Sequence, residues 1–493
     1  MKFPTWLGAP RRTLGDCYDH GQDNFLLLRL LARLRWPMDA ARRFRAAFAA
    51  REPKFTGATG FLLVACILSL PLVWNEGYFS QDELQWLAFA DKPTLTGLPW
   101  SAWFDFSPFQ YRPLTFNLWL LLSHFFGYQP IVMHLIRVLF GLAAAWLLRA
   151  VMLQLDVAPR RAAWACWIWL LTPYTVYTHG WVGTFGDSLC LIFMLMALRF
   201  VLRQATGSWR QSALCALPVA ALTVLALMSK ESAVVFPAVI LIAAFRRRDK
   251  IAVAAFALAS LVVATYLALR LPTILFPAHS AQGYAWHLAN IPANVAGYTL
   301  FPFLVGHFEV IAARTHLTNW PALLSLAIVA TASASTGRRR FALFCSGWIL
   351  ALGPVLILDG VYNQYAYLAG TWACAFFACS WGKIPTPLRV LMIIPIAMAL
   401  AHGAQQVREI RHIGTMQRNL YADLTTQIAQ GDTPILIEAK RNQDGFILRR
   451  LLTDIPTYRH LSLNGRVKAV SVTATDERPN FLMAADGRLV PAD

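Results

Sequence analysis

Long apolar runs, separated by short polar segments, fill most of the chain between residues 57 and 404. The apolar residues are continuous and lack the spacing of an amphipathic helix, and a helix needs about 20 residues to cross a bilayer. We count eleven such runs, at residues 57–76, 130–153, 162–178, 186–203, 211–229, 231–246, 251–271, 317–335, 340–358, 365–381 and 388–404. The pattern therefore predicts an all-α polytopic membrane protein with about eleven transmembrane helices.

Basic residues cluster in alternate connectors between these runs. They are Arg160, Arg161, Arg203, Arg210, residues 246–250, residues 338–340, Lys383 and Arg389. Because Lys and Arg are enriched in cytoplasmic loops, this places the N-terminus in the cytoplasm and the C-terminus on the other side. We expect a bacterial inner membrane, with the C-terminus in the periplasm.

The flanks of the apolar region predict two further parts. Residues 1–56 form a basic segment, in which residues 25–48 fit an amphipathic helix on an anionic leaflet or a solvated arm. Residues 405–493 predict a soluble α/β module, with a helix to about residue 430, strands at 434–439 and 467–473, and a helix at 446–452.

Two long loops are predicted on the non-cytoplasmic side of the transmembrane domain, which spans residues 57–404. They cover residues 78–129 and 272–316. Each contains an apolar stretch, at 114–126 and 291–305, that is too short to cross and predicts an interfacial helix. Counting either stretch as a crossing would place basic loops on the wrong face.

Composition narrows the class of protein further. Of the 493 residues, 57% are hydrophobic and 14% are charged, and the net charge is +18. Since the basic residues follow the predicted topology, we interpret this charge as orientation in the membrane and predict no nucleic-acid partner. The eight cysteines lie almost entirely within apolar runs without metal-type pairing, so neither disulfides nor zinc sites are predicted.

An adjacent acidic pair, Asp82 and Glu83, follows the first predicted crossing. A carboxylate at this position suits a general base, because a hydroxyl nucleophile must lose a proton as it attacks. The alternative is a capped helix N-terminus, where acidic side chains complement the helix dipole.

Lys230 and Glu231 interrupt an apolar stretch that is too long for one crossing. They predict a tight non-cytoplasmic turn, where the lysine would neutralise a lipid phosphate and Glu231 would orient it. The alternative is a turn marked by a mutually satisfied ion pair.

Further polar and aromatic residues lie on the same predicted side. They are Arg112, His134, Arg137, His179 and Asp187, with Trp86, Trp100, Trp103, Phe104 and Tyr111 as an aromatic wall for a sugar. Arginine binds phosphate bidentately and keeps its charge, so Arg112 is the better phosphate candidate. Singly, such residues also anchor helix ends and interfaces, so their collection on one side is the informative fact.

Together these motifs resemble the GT-C superfamily of polytopic glycosyltransferases, and most of all its protein O-mannosyltransferase-like branch and related bacterial enzymes. The resemblance rests on Asp82-Glu83, residues 111–115, Asn117, Phe126-Gly127, Pro130, His134, Lys230-Glu231 and residues 363–368, in this order. Two motifs depart from the family: residues 183–187 lack an expected arginine, and Gln364 stands where an arginine is expected.

The resemblance implies Asp82 as catalytic base with Glu83 assisting, and donor phosphate held by Arg112, Lys230 and Glu231. Possible substrate-binding residues are Tyr111, His134, His179, Asp187, Tyr365 and Tyr367. We predict transfer of a sugar from a polyprenyl-phosphate donor to a hydroxyl of a glycan, lipid or protein acceptor at the membrane lipid surface, with inversion and with no metal or cofactor. A transporter or flippase of a lipid-linked glycan, or an inactive scaffold, is the alternative.

Overall fold

The structure, a computed structural model, describes residues 57–204, 208–247, 249–275, 285–431, 434–440, 444–470 and 478–492. The amphipathic helix predicted at residues 25–48 lies outside these ranges. Seventeen α-helices are described: α1 Ala58–Val73, α2 Gln81–Leu87, α3 Pro113–Phe126, α4 Pro130–Gln154, α5 Pro159–Leu170, α6 Pro173–Gly180, α7 Phe185–Arg203, α8 Trp209–Ser229, α9 Phe236–Arg247, α10 Lys250–Leu275, α11 Asn290–Leu300, α12 Trp320–Ala334, α13 Arg338–Leu352, α14 Tyr367–Ser380, α15 Thr386–Leu391, α16 Ile393–Gln430 and α17 Gly445–Leu452.

Five helical stretches within the described residues are long and apolar enough to cross a membrane. They are Pro130–Gln154, Val182–Arg203, Trp209–Ser229, Lys250–Thr273 and Thr386–Gln430. The other predicted crossings coincide with shorter helices, so the number eleven stays a prediction. The run at 162–178 is broken into α5 and α6, where Pro173 begins a new helix because proline lacks the N–H that would continue α5.

The core of the helical part lies where α4, α7, α8 and α10 pack side by side. The two predicted interfacial stretches are the short helices α3 and α11. Helix α3 packs against the ends of α7 and α8, and it therefore places the loop of residues 78–129 over the core.

Helix α16 continues without a break through residue 404, the predicted end of the transmembrane domain. Its buried residues recur at helical spacing as far as Ile428, so one face stays packed along its length. The helix ends at Gly431, which adopts the left-handed conformation (φ 91°) that glycine takes at helix C-termini.

The C-terminal part is a small α/β unit packed on α16. Its strands are β1 Ile435–Ala439, β2 Thr457–Tyr458, β3 Leu461–Ser462, β4 Val467–Ala469, β5 Phe481–Met483 and β6 Leu489–Pro491. The main sheet has the order β4-β1-β5-β6, with β1 parallel to β4 and β5, and β5 antiparallel to β6. Strands β2 and β3 pair separately.

This C-terminal module, residues 434–492 as far as described, is anchored on α16 by the turn before β6. Gly487 has φ +87° and lies so close to the backbone of Met416 that a Cβ there would overlap it. Asn419 donates a hydrogen bond to Asp486 O at 2.8 Å, and Arg488 pairs with Asp423 at 3.0 Å.

Candidate active site

Helix α2 carries the acidic pair in its first turn, and the two acids have different environments. Glu83 is buried, and both of its carboxylate oxygens accept backbone hydrogen bonds. Oε2 accepts from the N–H groups of Phe79 and Ser80 at 3.0 Å each, and Oε1 accepts from Val182 at 2.7 Å. The sequence alternative of a capped helix therefore describes Glu83, which ties the first loop to the segment before α7.

Burial raises the pKa of Glu83 to about 8, although three backbone N–H groups oppose the shift. Both carboxylate oxygens of Glu83 face backbone N–H donors. The catalytic assistance predicted for Glu83 has no direct route in this geometry, because its side chain does not line the cavity described next.

Asp82, the next residue toward the N-terminus, lines an open cavity, whose empty volume including the solvent at its mouth is about 520 Å³. Its carboxylate forms no hydrogen bond or ion pair within the described residues. The side chain is exposed to the cavity, and the protein around the cavity partly desolvates the carboxylate. This desolvation raises the pKa of Asp82, and Arg450 and Arg112 act in the opposite direction.

The cavity brings together residues from distant parts of the sequence. It is lined by Asp82, Gln110, Arg112, Thr115, Phe116, Trp119, Trp181, Gly183, Thr184, Gly186, Asp187, Lys230, Gln364 and Tyr365. Both cationic candidates and Asp82 thus face one space, in which a phosphate and a hydroxyl would meet.

Lys230 follows α8 directly and pairs with Asp187 on α7. Its Nζ lies 2.5 Å from Asp187 Oδ1, and both side chains are only 8% exposed. The ammonium group also lies 5.4 Å from the ring centre of Tyr365. An ammonium carries three donors, and among the described residues Asp187 is the only hydrogen-bond partner of the Lys230 side chain.

Arg112 precedes α3, and its guanidinium is held by Glu231. Arg112 Nε donates to both carboxylate oxygens, at 2.8 and 3.1 Å. The prediction that Glu231 orients Lys230 is therefore wrong. The extended backbone of Lys230 turns consecutive side chains to different neighbours, so Glu231 supports Arg112 and Asp187 supports Lys230.

Close packing at Gly186 makes this arrangement possible. A Cβ on Gly186 would lie 2.6 Å from Ser229 O and 3.0 Å from Thr115 Oγ1, so a larger residue would force α3, α7 and α8 apart. Thr115 Oγ1 also donates a hydrogen bond to Ser229 O at 2.8 Å. These contacts bring the start of α7 against the end of α8, where Asp187 and Lys230 meet.

The aromatic wall of the cavity differs from the predicted one. Trp119, Phe116, Trp181 and Tyr365 line it, whereas Trp100, Trp103 and Phe104 are exposed away from it. Trp86 contributes indirectly, because its ring stacks on Trp119 with centroids 4.2 Å apart.

Four of the possible substrate-binding residues lie outside the cavity lining. His134 Nε2 bonds to Gly77 O at 3.0 Å, and His179 Nε2 bonds to the hydroxyl of Tyr367 at 2.9 Å. Tyr111 donates to Trp103 O at 2.5 Å. Each of the four is buried and uses a side-chain atom in a hydrogen bond, so they stabilise the loops around the cavity.

Buried Arg137 has the same supporting role. Its guanidinium donates to Thr178 O at 2.6 Å, Ser188 Oγ at 2.8 Å and Trp181 O at 3.3 Å. These bonds join α4 to the segment between α6 and α7, which carries the cavity-lining Trp181. A buried arginine with several acceptors fixes backbone more than it binds ligand.

Sequence reasoning missed two arginines that hold the first long loop. Arg270 on α10 donates to the carbonyl groups of Phe106, Pro108 and Phe109 just before Arg112. Its position in an apolar run could have marked it, because a charged residue in a membrane segment costs free energy and usually has specific polar partners.

The second missed residue is Arg450 on α17, in the C-terminal module. It pairs with Glu309 at 2.7 Å and lies over the rings of Phe79 and Trp181, at 5.6 and 5.9 Å. No sequence motif marks it, since its partners lie more than 100 residues away.

No family model matches the chain, and no curated protein matches it. Among solved structures, the chain is similar to the cryo-EM structure of the arabinofuranosyltransferase AftD from Mycobacteria, at 15% sequence identity and a TM-score of 0.40. The match covers 77% of this chain and 29% of that one, so this chain spans less than a third of the longer protein.

Proposed function

We propose that this protein is a GT-C-type membrane glycosyltransferase, which moves a sugar from a polyprenyl-phosphate donor to an acceptor hydroxyl on the periplasmic side. One observation carries the proposal: the unpartnered carboxylate of Asp82 faces the same cavity as Lys230 and Arg112. A base for a hydroxyl and cations for a phosphate are the groups that such a transfer requires.

The proposed reaction is a single displacement at the anomeric carbon. Asp82 takes the proton of the acceptor hydroxyl as its oxygen bonds to that carbon. The bond from the anomeric carbon to the phosphate oxygen breaks, and its electron pair stays on the polyprenyl phosphate. Lys230 and Arg112 stabilise the charge that develops there, and attack opposite the leaving group inverts the configuration.

The remaining residues of the cavity suit a sugar between these groups. The stacked pair Trp119 and Trp86 offers a flat apolar face, and Gln110 and Gln364 offer amides. Glu83 holds the turn that presents Asp82, so its role in the proposal is positioning.

The proposal is tested by transfer assays on the purified protein in vesicles. The donors are polyprenyl phosphates that carry a hexose or a pentose, and the acceptors are membrane glycan extracts. We expect transfer by the wild type, and a rate lower by about 10² to 10⁴ in Asp82→Asn because general base catalysis is lost.

Asp105→Asn is the matched control, since Asp105 is an exposed carboxylate in the same loop and should leave the rate unchanged. Transfer that survives in Asp82→Asn would remove Asp82 as the base. If the wild type transfers no sugar from any donor, the assignment as an enzyme is overturned, and glycan transport becomes the function to test.

A further inference from the structure

We propose that Arg450 of the C-terminal module is a positioning residue of the active site, which fixes the turn that carries Asp82 and supplies a positive charge beside it. The inference rests on the proposed function, because it assigns the module a part in the reaction. This role of Arg450 would make the C-terminal module a component of the active site.

The contacts of Arg450 converge on this turn. Nη2 lies 3.5 Å from Ser80 Oγ, at the start of α2, and 3.4 Å from the hydroxyl of Tyr177. The guanidinium also covers the ring of Phe79. Ser80 and Phe79 are the residues whose N–H groups bind Glu83, so Arg450 contacts the outside of the turn that Glu83 holds from inside.

The charge of Arg450 persists in this environment. The side chain is only 16% exposed, and burial disfavours the charged form, but Tyr177 and Glu309 more than offset this and raise the pKa of Arg450. A guanidinium held this way acts as a fixed positive charge in a site of reduced dielectric.

Charged groups surround Asp82 from several elements. Arg112 precedes α3, Arg450 lies on α17, and Lys230 with Asp187 faces the same cavity. Behind α2 lies Glu83, and Glu309 with Tyr177 flanks Arg450. Of the charges acting on Asp82, Arg450 and Arg112 favour its ionised form.

A second set of contacts docks the module on the same loop without involving Arg450. Asp91 accepts hydrogen bonds from Tyr128 at 2.8 Å and from Thr457 at 2.9 Å, and Arg459 N donates to the Tyr128 hydroxyl at 2.7 Å. Docking and the charge of Arg450 can therefore be disturbed separately.

The experiment compares the pH dependence of transfer in Arg450→Gln and in the wild type. Asp82 must be ionised to act as a base, and Arg450 favours the ionised form. We expect the acidic limb of the profile to move to higher pH by about one unit, the low end of what a nearby opposite charge contributes. In Arg450→Lys the acidic limb should stay close to its wild-type pH, because the positive charge is kept. In Glu309→Gln the limb should move to lower pH, because a negative charge beside Arg450 is removed.

Two variants serve as controls. Arg449→Gln changes the exposed neighbour on the same helix and should leave the profile unchanged. Thr457→Val removes a docking hydrogen bond, and any loss of rate in it should be equal at all pH values. If Arg450→Gln behaves like Thr457→Val, with an unmoved acidic limb, Arg450 only docks the module and the proposal fails.

Hydrogen–deuterium exchange gives a readout that needs no substrate. We expect faster exchange at residues 79–82 in Arg450→Gln than in Arg449→Gln, and equal exchange would contradict the positioning role. Where Arg450→Gln does not fold, Glu309→Gln decides, and an acidic limb that does not move to lower pH in this variant contradicts the proposal. The transfer assay separates the two proposals: absent transfer by the wild type overturns the proposed function, whereas transfer by the wild type with an unmoved acidic limb in Arg450→Gln overturns only this inference.

Discussion

The two sides of the cavity hold their charges in different ways. On one side, Lys230 with Asp187 and Arg112 with Glu231 are neutralised in pairs. On the other, Asp82 faces the cavity without a hydrogen bond or ion pair among the described residues. Paired charges are expected to support the fold, whereas an unpaired carboxylate in a cavity lowers stability and is expected to serve catalysis.

The largest stability effect should come from breaking the buried pair. Lys230→Met leaves the Asp187 carboxylate without its partner, and we expect a loss of about 3–5 kcal/mol in the free energy of unfolding. Transfer should also fall by about 10² to 10³ because a fixed cation at the phosphate is lost. Unfolding in detergent measures the first effect.

The double variant Lys230→Met/Asp187→Leu is the control for this prediction. It removes both charges, so it should recover stability without recovering transfer. A double variant that is less stable than Lys230→Met would show that Asp187 stabilises the fold by other means.

A smaller effect is expected for Glu83, which is buried like the pair but binds only backbone. Glu83→Gln replaces one acceptor oxygen by a donor that faces N–H groups, at a cost of about 1–3 kcal/mol. The cost should depend on pH, because the pKa of Glu83 is raised from 4.5 to about 8.

The sign follows from proton binding. Between pH 4.5 and 8 the folded state holds a proton on Glu83 that the unfolded state has lost, so the stability that Glu83 contributes falls as pH rises. The difference in melting temperature between wild type and Glu83→Gln should therefore narrow from pH 4.5 to 8. A difference that widens would show that the carboxylate is ionised in the fold at neutral pH.

Arg112→Gln should destabilise less, by about 0–1 kcal/mol, because Arg112 and Glu231 are 19% and 26% exposed and water screens their attraction. Transfer should still fall, since the phosphate loses a cation. Melting and transfer measured on one preparation separate the effects, and a stability loss as large as in Lys230→Met would contradict the prediction.

The smallest effect on stability is expected for Asp82→Asn. Its melting temperature should equal or slightly exceed that of the wild type, because a carboxylate with a raised pKa and no partner is removed. A clear fall in melting temperature would indicate that Asp82 has a structural role.

The sequence could predict which residues gather, but not which residues pair. The apolar runs predicted helices near every site residue. The sequence placed Asp82, Arg112 and Lys230 on one side of the membrane, and in the structure all three line one cavity. Neighbours in sequence suggested a Lys230–Glu231 pair, whereas the partners in space are Arg112, just before α3, and Asp187 on α7. Pairing depends on backbone direction at one residue, which hydrophobic periodicity does not encode.

Other contacts were beyond sequence reasoning for a different reason. Arg450 lies 370 positions from Ser80, in a segment without a motif. The sequence predicts a helix to about residue 430, but the change from apolar to polar composition near residue 404 obscured that it continues the preceding apolar helix. Buried residues such as Ile413 and Leu420 keep the helical period across that boundary.

The 38 residues of α16 correspond to about 57 Å of helix, nearly twice the hydrocarbon thickness of a bilayer. Its C-terminal half contacts the start of the first loop, where Gln417 accepts a hydrogen bond from Tyr78 N at 3.1 Å and the backbone of Gly414 packs against that of Gly77. The length and the helical rotation of α16 therefore set the position of the C-terminal module relative to the first loop. One added residue below Gly414 would turn everything beyond it by about 100° and carry Arg450 away from the turn it holds.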